Sequence, residues 1–291
     1  MTSGAVLVTG ATGFLGRHVC ARLQEEGSAV TRWTRATHGD VTDAARVRAA
    51  VKGHDVVVHL ASSSARHAVE DPGDDARTNV LGTLHVAQAA LAEGAALVHT
   101  STAHVFGPGP RPVADDAPHK PVTLYGASKS ASETIVLTHA RAFGLDACVV
   151  RMPSLFGSPV EGPPPPSVVA RFAEAALAGA PLTLHGDPAR PVDVLDVRHA
   201  ARAIAQLAGE AASAWRGETW NVGPRGPLPL RRLAEVVRDA AGSASPIQTS
   251  PAQGAPMPVL DARKALARFA WLGATDVETD VRAFVSWRAK A

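Results

Sequence analysis

The run Val6-Leu7-Val8-Thr9-Gly10-Ala11-Thr12-Gly13-Phe14-Leu15-Gly16 constrains this chain more than any other stretch. Apolar and small residues lead into a glycine-rich turn, and Leu15, Val19 and Leu23 then recur at helical spacing until Gly27 ends the run. Ala29-Val30 opens another strand, so the segment reads as a β-α-β unit. Within such a unit Gly10 lets the chain turn sharply off the strand. Gly13 leaves room for backbone N–H groups to approach a pyrophosphate, and Gly16 lets the helix pack on the sheet. The helix N-terminus adds its positive end, which makes Gly10, Thr12, Gly13, Phe14 and Leu15 candidates for holding a dinucleotide.

Glycine punctuates the rest of the first half. Gly27, Gly53, Gly94 and Gly144 each close a helical stretch just before an apolar run. The predicted strands are Ala5 to Thr9, Ala29 to Trp33, Val56 to Leu60, Ala96 to Thr100 and Cys148 to Met152. Several are apolar on both faces, which implies a parallel sheet covered by helices. After Met152 the rhythm changes, because Gly162 to Pro166 is too proline-rich for a helix or a central strand. The expected architecture is α/β: a Rossmann-type doubly wound parallel sheet with a smaller C-terminal α/β substrate-binding lobe. Residues 1–160 would form the NADP-binding domain, with 191–222 returning to it through Val192 to Leu195 and Thr219 to Val222. Residues 161–190 and 223–291 would mainly form the lobe.

Composition narrows the function classes. Lys and Arg total 29 against 27 acidic residues, a formal charge of +2, so there is no electrostatic case for nucleic acid or membrane binding. No apolar run approaches the roughly 20 residues that span a bilayer. Met1-Thr2-Ser3 leads straight into the first strand and leaves no room for a signal peptide, so a cytoplasmic protein is expected. Cys20 and Cys148 fall on core positions rather than forming a disulfide or metal pair, and the scattered histidines and carboxylates show no metal-ligand spacing.

Tyr125-Gly-Ala-Ser-Lys129 places the chain's single tyrosine and a lysine four apart at the start of a helix, so both side chains share a face. An ammonium held nearby favours the phenolate and brings the tyrosine pKa down from near 10. Ser101-Thr102-Ala-His-Val-Phe-Gly107 follows a predicted strand, and hydroxyls at the carboxyl end of a parallel strand stand where open sheets bind ligands. The end of the second strand reads Thr31-Arg32-Trp33-Thr34-Arg35 with no acid before Asp40. An acid there would hold the ribose hydroxyls of NAD and repel a 2′-phosphate. Arg32 or Arg35 is suited to pair with that phosphate and Trp33 or Arg35 to stack on adenine, so NADP(H) is preferred, with NAD(H) the alternative.

Taken in order, the motifs resemble those of the extended short-chain dehydrogenase/reductase family, which includes nucleotide-sugar epimerases, dehydratases and ketoreductases. The resemblance rests on Thr9-Gly10-x-x-Gly13-x-x-Gly16, Gly39-Asp40-Val41-x-Asp43, His59-Leu60-Ala61, Asn79-x-x-Gly82-Thr83, Ser101-Thr102-x-x-Val-Phe-Gly107 and Tyr125-x-x-x-Lys129. Arg151-x-Pro153 with Phe156-Gly157, Asn221-x-Gly223 and Asp261-x-x-Lys264 extend it over nearly the whole length. It implies that Thr102 holds the substrate oxygen, that Tyr125 exchanges the proton, and that Lys129 binds the nicotinamide ribose and lowers the tyrosine pKa. It further implies that Asp40 and Val41 contact adenine, that Leu60, Ala61, Ser62 and Asn79 line the cofactor cleft, and that Pro153 with Ser154 borders the nicotinamide. A homodimer through helices 81–92 and 125–142 is the family expectation.

The same resemblance weighs the reactions. Family 4,6-dehydratases carry Asp-Glu right after the active-site hydroxyl, where Ala103-His104 stands here, so dehydration is disfavoured. The run from Asp193 to Ala203 is similar to one in nucleotide 4-keto-6-deoxyhexose reductases. Two departures concern the substrate's diphosphate: the family's Asn is Ser154, and the Arg expected before Asp193 is Val192, with Arg190 two positions earlier. Arg190 and His104 are candidate substrate contacts, and His59 and His99 read as structural. The expected function is an NADPH-dependent ketoreductase acting on a nucleotide-linked 4-keto-6-deoxysugar. A nucleotide-sugar 4-epimerase using bound NAD is the alternative, and a non-catalytic NADP-binding sensor a third.

Overall fold

Six short apolar runs build one sheet. Strands β1 (Ala5–Thr9), β2 (Ala29–Trp33), β3 (Val56–His59), β4 (Ala96–Thr102), β5 (Ala147–Met152) and β6 (Thr219–Asn221) stand in the order β2-β1-β3-β4-β5-β6. Every pairing is parallel. The computed structural model describes residues 4–109, 112–252 and 257–291, so the reading made at Met1 to Ser3 lies outside the described residues.

Alternate residues of a strand face opposite sides, and here both sides are covered. Val6, Val8, Val58, Val98 and Val150 pack with Val19, Cys20 and Leu23 of α1 (Phe14–Glu25) and with Ile204 and Leu207 of the helix Val197–Ala208. Leu7, Val57, Leu97 and Val149 face the other way. There they meet Val47 and Val51 of α2 (Ala44–Val51), Val86 and Ala90 of α3 (Gly82–Glu93), and Val136 and Ala140 of α4 (Leu124–Phe143). Each fully buried Val or Leu contributes about 1.5–3 kcal/mol. Cys20 and Cys148 are buried, unpaired core residues as expected. The four helix-closing glycines all take positive φ, between 71° and 86°.

The expected return of residues 192–195 to the main sheet does not occur. The edge beside β5 is taken by β6. Val194–Asp196 pairs instead with Ser154–Phe156, which begins after Pro153 interrupts β5. A third core forms from Phe156, Phe172, Leu182, Leu233, Val237 and Phe284, where helices Val168–Leu177, Leu230–Ala240 and Val277–Arg288 meet. Among the described residues no helix is long and apolar enough to cross a membrane.

Candidate active site

Strand β1 is flanked by β2 on one side and β3 on the other, so the chain leaves its carboxyl end at a topological switch point, where open sheets form a crevice. Thr9 stitches that edge together. Its hydroxyl lies 2.7 Å from His59 Nδ1 and accepts from the N–H groups of Leu60 and Ala61, each at 3.2 Å. Gly10 has φ +67°, and a Cβ there would stand 2.7 Å from Ala61 N; a Cβ on Gly16 would collide with the Gly10 carbonyl oxygen. A cavity of about 420 Å³ opens over this turn, lined by Gly10, Thr12, Gly13, Trp33, Val41, Leu60, Ala61 and Ser62. Glycines without side chains, the N-terminus of α1 and a small-residue floor fit the pyrophosphate and adenosine of a dinucleotide.

Not every residue expected at this cleft lies on its wall. Arg35 does, and it pairs with Asp40 at 3.0 Å. Asp40 therefore turns to Arg35 and to the Thr42 N–H rather than into the cavity. Arg32, one residue out of phase with Trp33 on β2, points to the opposite face, where it meets Gln24 of α1 at 3.4 Å. Trp33 is buried, donates from Nε1 to the Gly39 carbonyl at 2.8 Å and stacks on His38. Phe14 packs edge-on against His18, and Leu15 packs on the core. Asn79 is fully buried behind the cavity, its Oδ1 accepting from the Ser62 hydroxyl at 2.9 Å.

Thr102 ends β4, and Tyr125 and Lys129 stand in the first two turns of α4. Thr123 caps that helix by accepting from the Gly126 N–H, and Gly126 lets the helix approach the His104 carbonyl too closely for any side chain. Thr102 is buried, and its Oγ1 accepts from the His104 N–H at 3.3 Å, which leaves its own proton free to donate. His104 lies edge-on to the Tyr125 ring at 5.6 Å, and burial lowers its pKa, so it is neutral. Lys129, 3% exposed, donates from Nζ to the Thr100 carbonyl at 2.8 Å.

The electrostatics correct one expectation. Burial pushes the Tyr125 phenol up; a hydrogen bond from Ser62 draws it back, and the negative charge of Asp75 raises it again. Burial brings Lys129 itself down to about 8, against the pull of Glu133 and Asp75. Desolvation thus sets the direction for the tyrosine, opposite to the lowering expected from the lysine. His59 and His99, stacked at 5.4 Å beneath Lys129, are held neutral by burial and bonded to Thr9, Thr83 and Ser132, a structural role as expected.

Pro153 is buried at the end of β5, and Ser154 after it lines a second cavity of about 710 Å³. Arg190 lines it as well, together with Arg171, His185 and Asp193. Burial and the charge of Arg171 lower the Arg190 pKa, so two guanidinium groups share one cavity. Asp193 is raised to about 7 by burial, opposed by the Leu260 N–H it accepts at 3.0 Å. Arg171 was not legible as a site residue: on its helix it follows the exposed face opposite Val169, Phe172 and Ala173, where the pattern marks only solvent.

The sequence model of the NAD dependent epimerase/dehydratase family matches residues 6–223. A dTDP-4-dehydrorhamnose reductase of Streptomyces griseus is 38% identical over 229 residues, covering 74% of this chain and 72% of that protein. A UDP-glucose 4-epimerase of Mycolicibacterium smegmatis is 30% identical over 262 residues, covering 81% and 82%. Among solved structures, the UDP-glucose 4-epimerase of Thermus thermophilus in complex with NAD superimposes with a TM-score of 0.82 at 27% identity, covering 97% of this chain and 98% of that one. With the glycine turn, Tyr125 and Lys129 at the start of α4 and a match over three quarters of its length, the chain belongs to the NAD dependent epimerase/dehydratase family of short-chain dehydrogenase/reductase enzymes.

Proposed function

We propose that this chain is an NADPH-dependent ketoreductase whose substrate is a nucleotide-linked 4-keto-6-deoxysugar. The observation that carries the reading is the placement of Tyr125. It stands in the first turn of α4 against His104 of the turn that follows Thr102, while Thr102 pairs with Met152, two residues before Ser154 of the two-arginine cavity. Gly10, Thr12, Gly13, Val41, Leu60, Ala61 and Ser62 would hold a reduced nicotinamide dinucleotide, which would supply the hydride. Thr102 donates its free hydroxyl proton to the keto oxygen and fixes it. Tyr125, kept protonated by burial, gives its proton to that oxygen as the alcohol forms. The Lys129 ammonium stabilises the phenolate left behind. Arg171 and Arg190 hold the substrate's diphosphate in place of the arginine missing at Val192.

The reductase relative at 38% identity supports this reading over the others. Arg35 at the cavity wall supports NADPH, since its partner Asp40 yields to a 2′-phosphate dianion more readily than a ribose-binding acid would. The same reading has the enzyme working in the cytoplasm as a homodimer. Equilibrium binding of NADPH and NADH to the wild type, Arg35→Ala and Arg32→Ala tests it. Preference for NADPH that collapses in Arg35→Ala and survives in Arg32→Ala is expected. A nicotinamide retained through purification, with no net NADPH consumption, would instead favour the 4-epimerase reading, which the UDP-glucose 4-epimerase at 30% identity keeps open.

A further inference from the structure

We propose that Asp193 is a specificity-determining residue of the two-arginine cavity: the open oxygen of its buried carboxylate accepts from a ring hydroxyl of the substrate's sugar, between keto carbon and diphosphate. The inference deepens the ketoreductase reading and rests on it, because it takes the occupant of that cavity to be a nucleotide sugar.

Asp193 is 7% exposed and lines the cavity of about 710 Å³ together with Arg171, Arg190 and Ser154. Its Oδ2 accepts from the Leu260 N–H at 3.0 Å, and among the described residues no donor reaches Oδ1. Gly223, whose Cβ would stand 3.6 Å from Oδ1, brings only a hydrogen against that oxygen. No cation compensates the charge. Burial pushes the carboxyl up to about 7, and the Leu260 N–H alone opposes it. The charges that bear on Arg190 are those of Arg171 and Asp187. Asp193 also lines a smaller cavity of about 390 Å³, whose arginines are exposed Arg225 and Arg263, the latter paired with Asp261 at 2.6 Å. A carboxylate withdrawn from water with one oxygen unfilled is costly until a ligand brings the missing donor, and in a cleft such a group marks a binding function.

Strand register places Asp193 toward the reacting end of the cavity. Thr102 pairs with Met152 and Ser154 with Val194, so Asp193 stands one residue before a pairing that lies just past the end of β4. Arg190 comes three residues earlier in the chain, about 10 Å away along extended backbone, and Arg171 comes from the helix Val168–Leu177. In a 4-keto nucleotide sugar the keto carbon and the diphosphate stand at opposite ends of the pyranose, with the remaining ring hydroxyls between them. When the keto group meets Thr102 and the diphosphate meets the arginines, those hydroxyls come level with Asp193. An ionised carboxylate only accepts, so it favours a hydroxyl at that place and rejects a carbonyl or carboxylate there.

Calorimetric binding of dTDP and dTDP-glucose at pH 8, with UDP and UDP-glucose in parallel, tests this on the wild type and Asp193→Asn. Asparagine keeps the Leu260 bond through its amide oxygen and turns an N–H donor toward the cavity; circular dichroism confirms that both proteins are folded. Loss of a hydrogen bond to a charged group predicts that the affinity ratio of sugar nucleotide to nucleoside diphosphate falls at least about tenfold in the variant. A ratio within about twofold of the wild type, whether both affinities hold or both fall together as a merely structural role requires, would overturn the proposal. Should Asp193→Asn not fold, the wild type alone decides. Either dTDP-2-deoxyglucose or dTDP-3-deoxyglucose must then bind about tenfold more weakly than dTDP-glucose, and equal affinity of all three would overturn the proposal. If neither nucleoside diphosphate binds the wild type, the substrate reading falls and the proposal with it; if they bind and the ratio holds, the proposal alone falls.

Discussion

Replacing Glu133 with glutamine should destabilise the protein out of proportion to the one atom exchanged. The Glu133 side chain is fully buried and that of Arg151 is 3% exposed. Arg151 Nε donates to both carboxylate oxygens at 3.0 Å, and a terminal nitrogen donates to Oε2 at 2.7 Å. The same guanidinium donates to the Asp115 carbonyl at 2.7 Å, and His119 lies 3.2 Å from Glu133. Asp115 also accepts from the Asn221 N–H at 2.6 Å, so the pair ties α4, β5, β6 and the segment before α4 into one network. Glutamine preserves the shape and withdraws the charge, leaving a guanidinium buried without its counter-ion. Breaking a buried pair from one side costs about 3–5 kcal/mol. In a domain of this size about 1 kcal/mol moves Tm by about 2–4 °C, so a fall of about 6–20 °C is expected by calorimetry at neutral pH. The double variant Glu133→Leu/Arg151→Met, which removes both charges, should recover part of that loss.

The pH dependence gives a second handle on the same variant. Burial pushes the Glu133 carboxyl up, but hydrogen bonds from His119 and Arg151 and the charge of Arg151 outweigh it and leave it below its ordinary 4.5. A carboxyl depressed in the folded state contributes stability that is present above the unfolded value and lost as pH falls through the folded one. The gap between wild type and Glu133→Gln should therefore close on acidification below 4.5. A single variant melting within about 2 °C of the wild type at neutral pH would refute the reasoning.

Tyr125→Phe should cut turnover of a 4-keto nucleotide sugar by about 10²–10⁴-fold while NADPH affinity stays nearly unchanged, as read by NADPH oxidation and equilibrium binding. In the wild type the Lys129 ammonium is present below its value of about 8 and lost above it, so the rate of ketone reduction should fall as pH rises through 8. Arg171→Ala and Arg190→Ala should each raise KM for a diphosphate-linked substrate about tenfold with kcat little changed, the pattern of lost uniform binding. Gly16→Ala places a methyl against the Gly10 carbonyl and should lower Tm far more than Gly273→Ala, whose Cβ would meet nothing within 4 Å.

The elements around β1 were legible because their signals are local. The spans Ala5–Thr9 and Ala29–Trp33 follow from apolar runs bounded by glycine, and Gly27, Gly53, Gly94 and Gly144 mark helix ends by a backbone conformation that glycine alone takes at no steric cost. The elements that carry Thr102, Tyr125 and Lys129 were legible for a similar reason, since the strand ends at Thr102 and helical spacing places Tyr125 and Lys129 one turn apart on α4. Less legible were the roles of charged residues. Arg32 and Arg35 look interchangeable in sequence, yet strand alternation sends one to α1 and leaves the other at the cavity. Val192 to Leu195 reads as a strand of the main sheet, but which strand the observed Val194–Asp196 joins depends on whether an edge is free.

By itself, then, the sequence determined the parallel sheet, the glycine turn at its switch point and the identity of the tyrosine-lysine pair, because periodicity and steric permission act within a few residues. Only the tertiary structure decided that Arg171 joins Arg190 at one cavity. It alone decided that burial leaves Tyr125 protonated and Lys129 near 8. Desolvation and charge–charge interaction depend on segments far apart in the chain, and those distances exist only once the sheet has closed and the helices have packed on it.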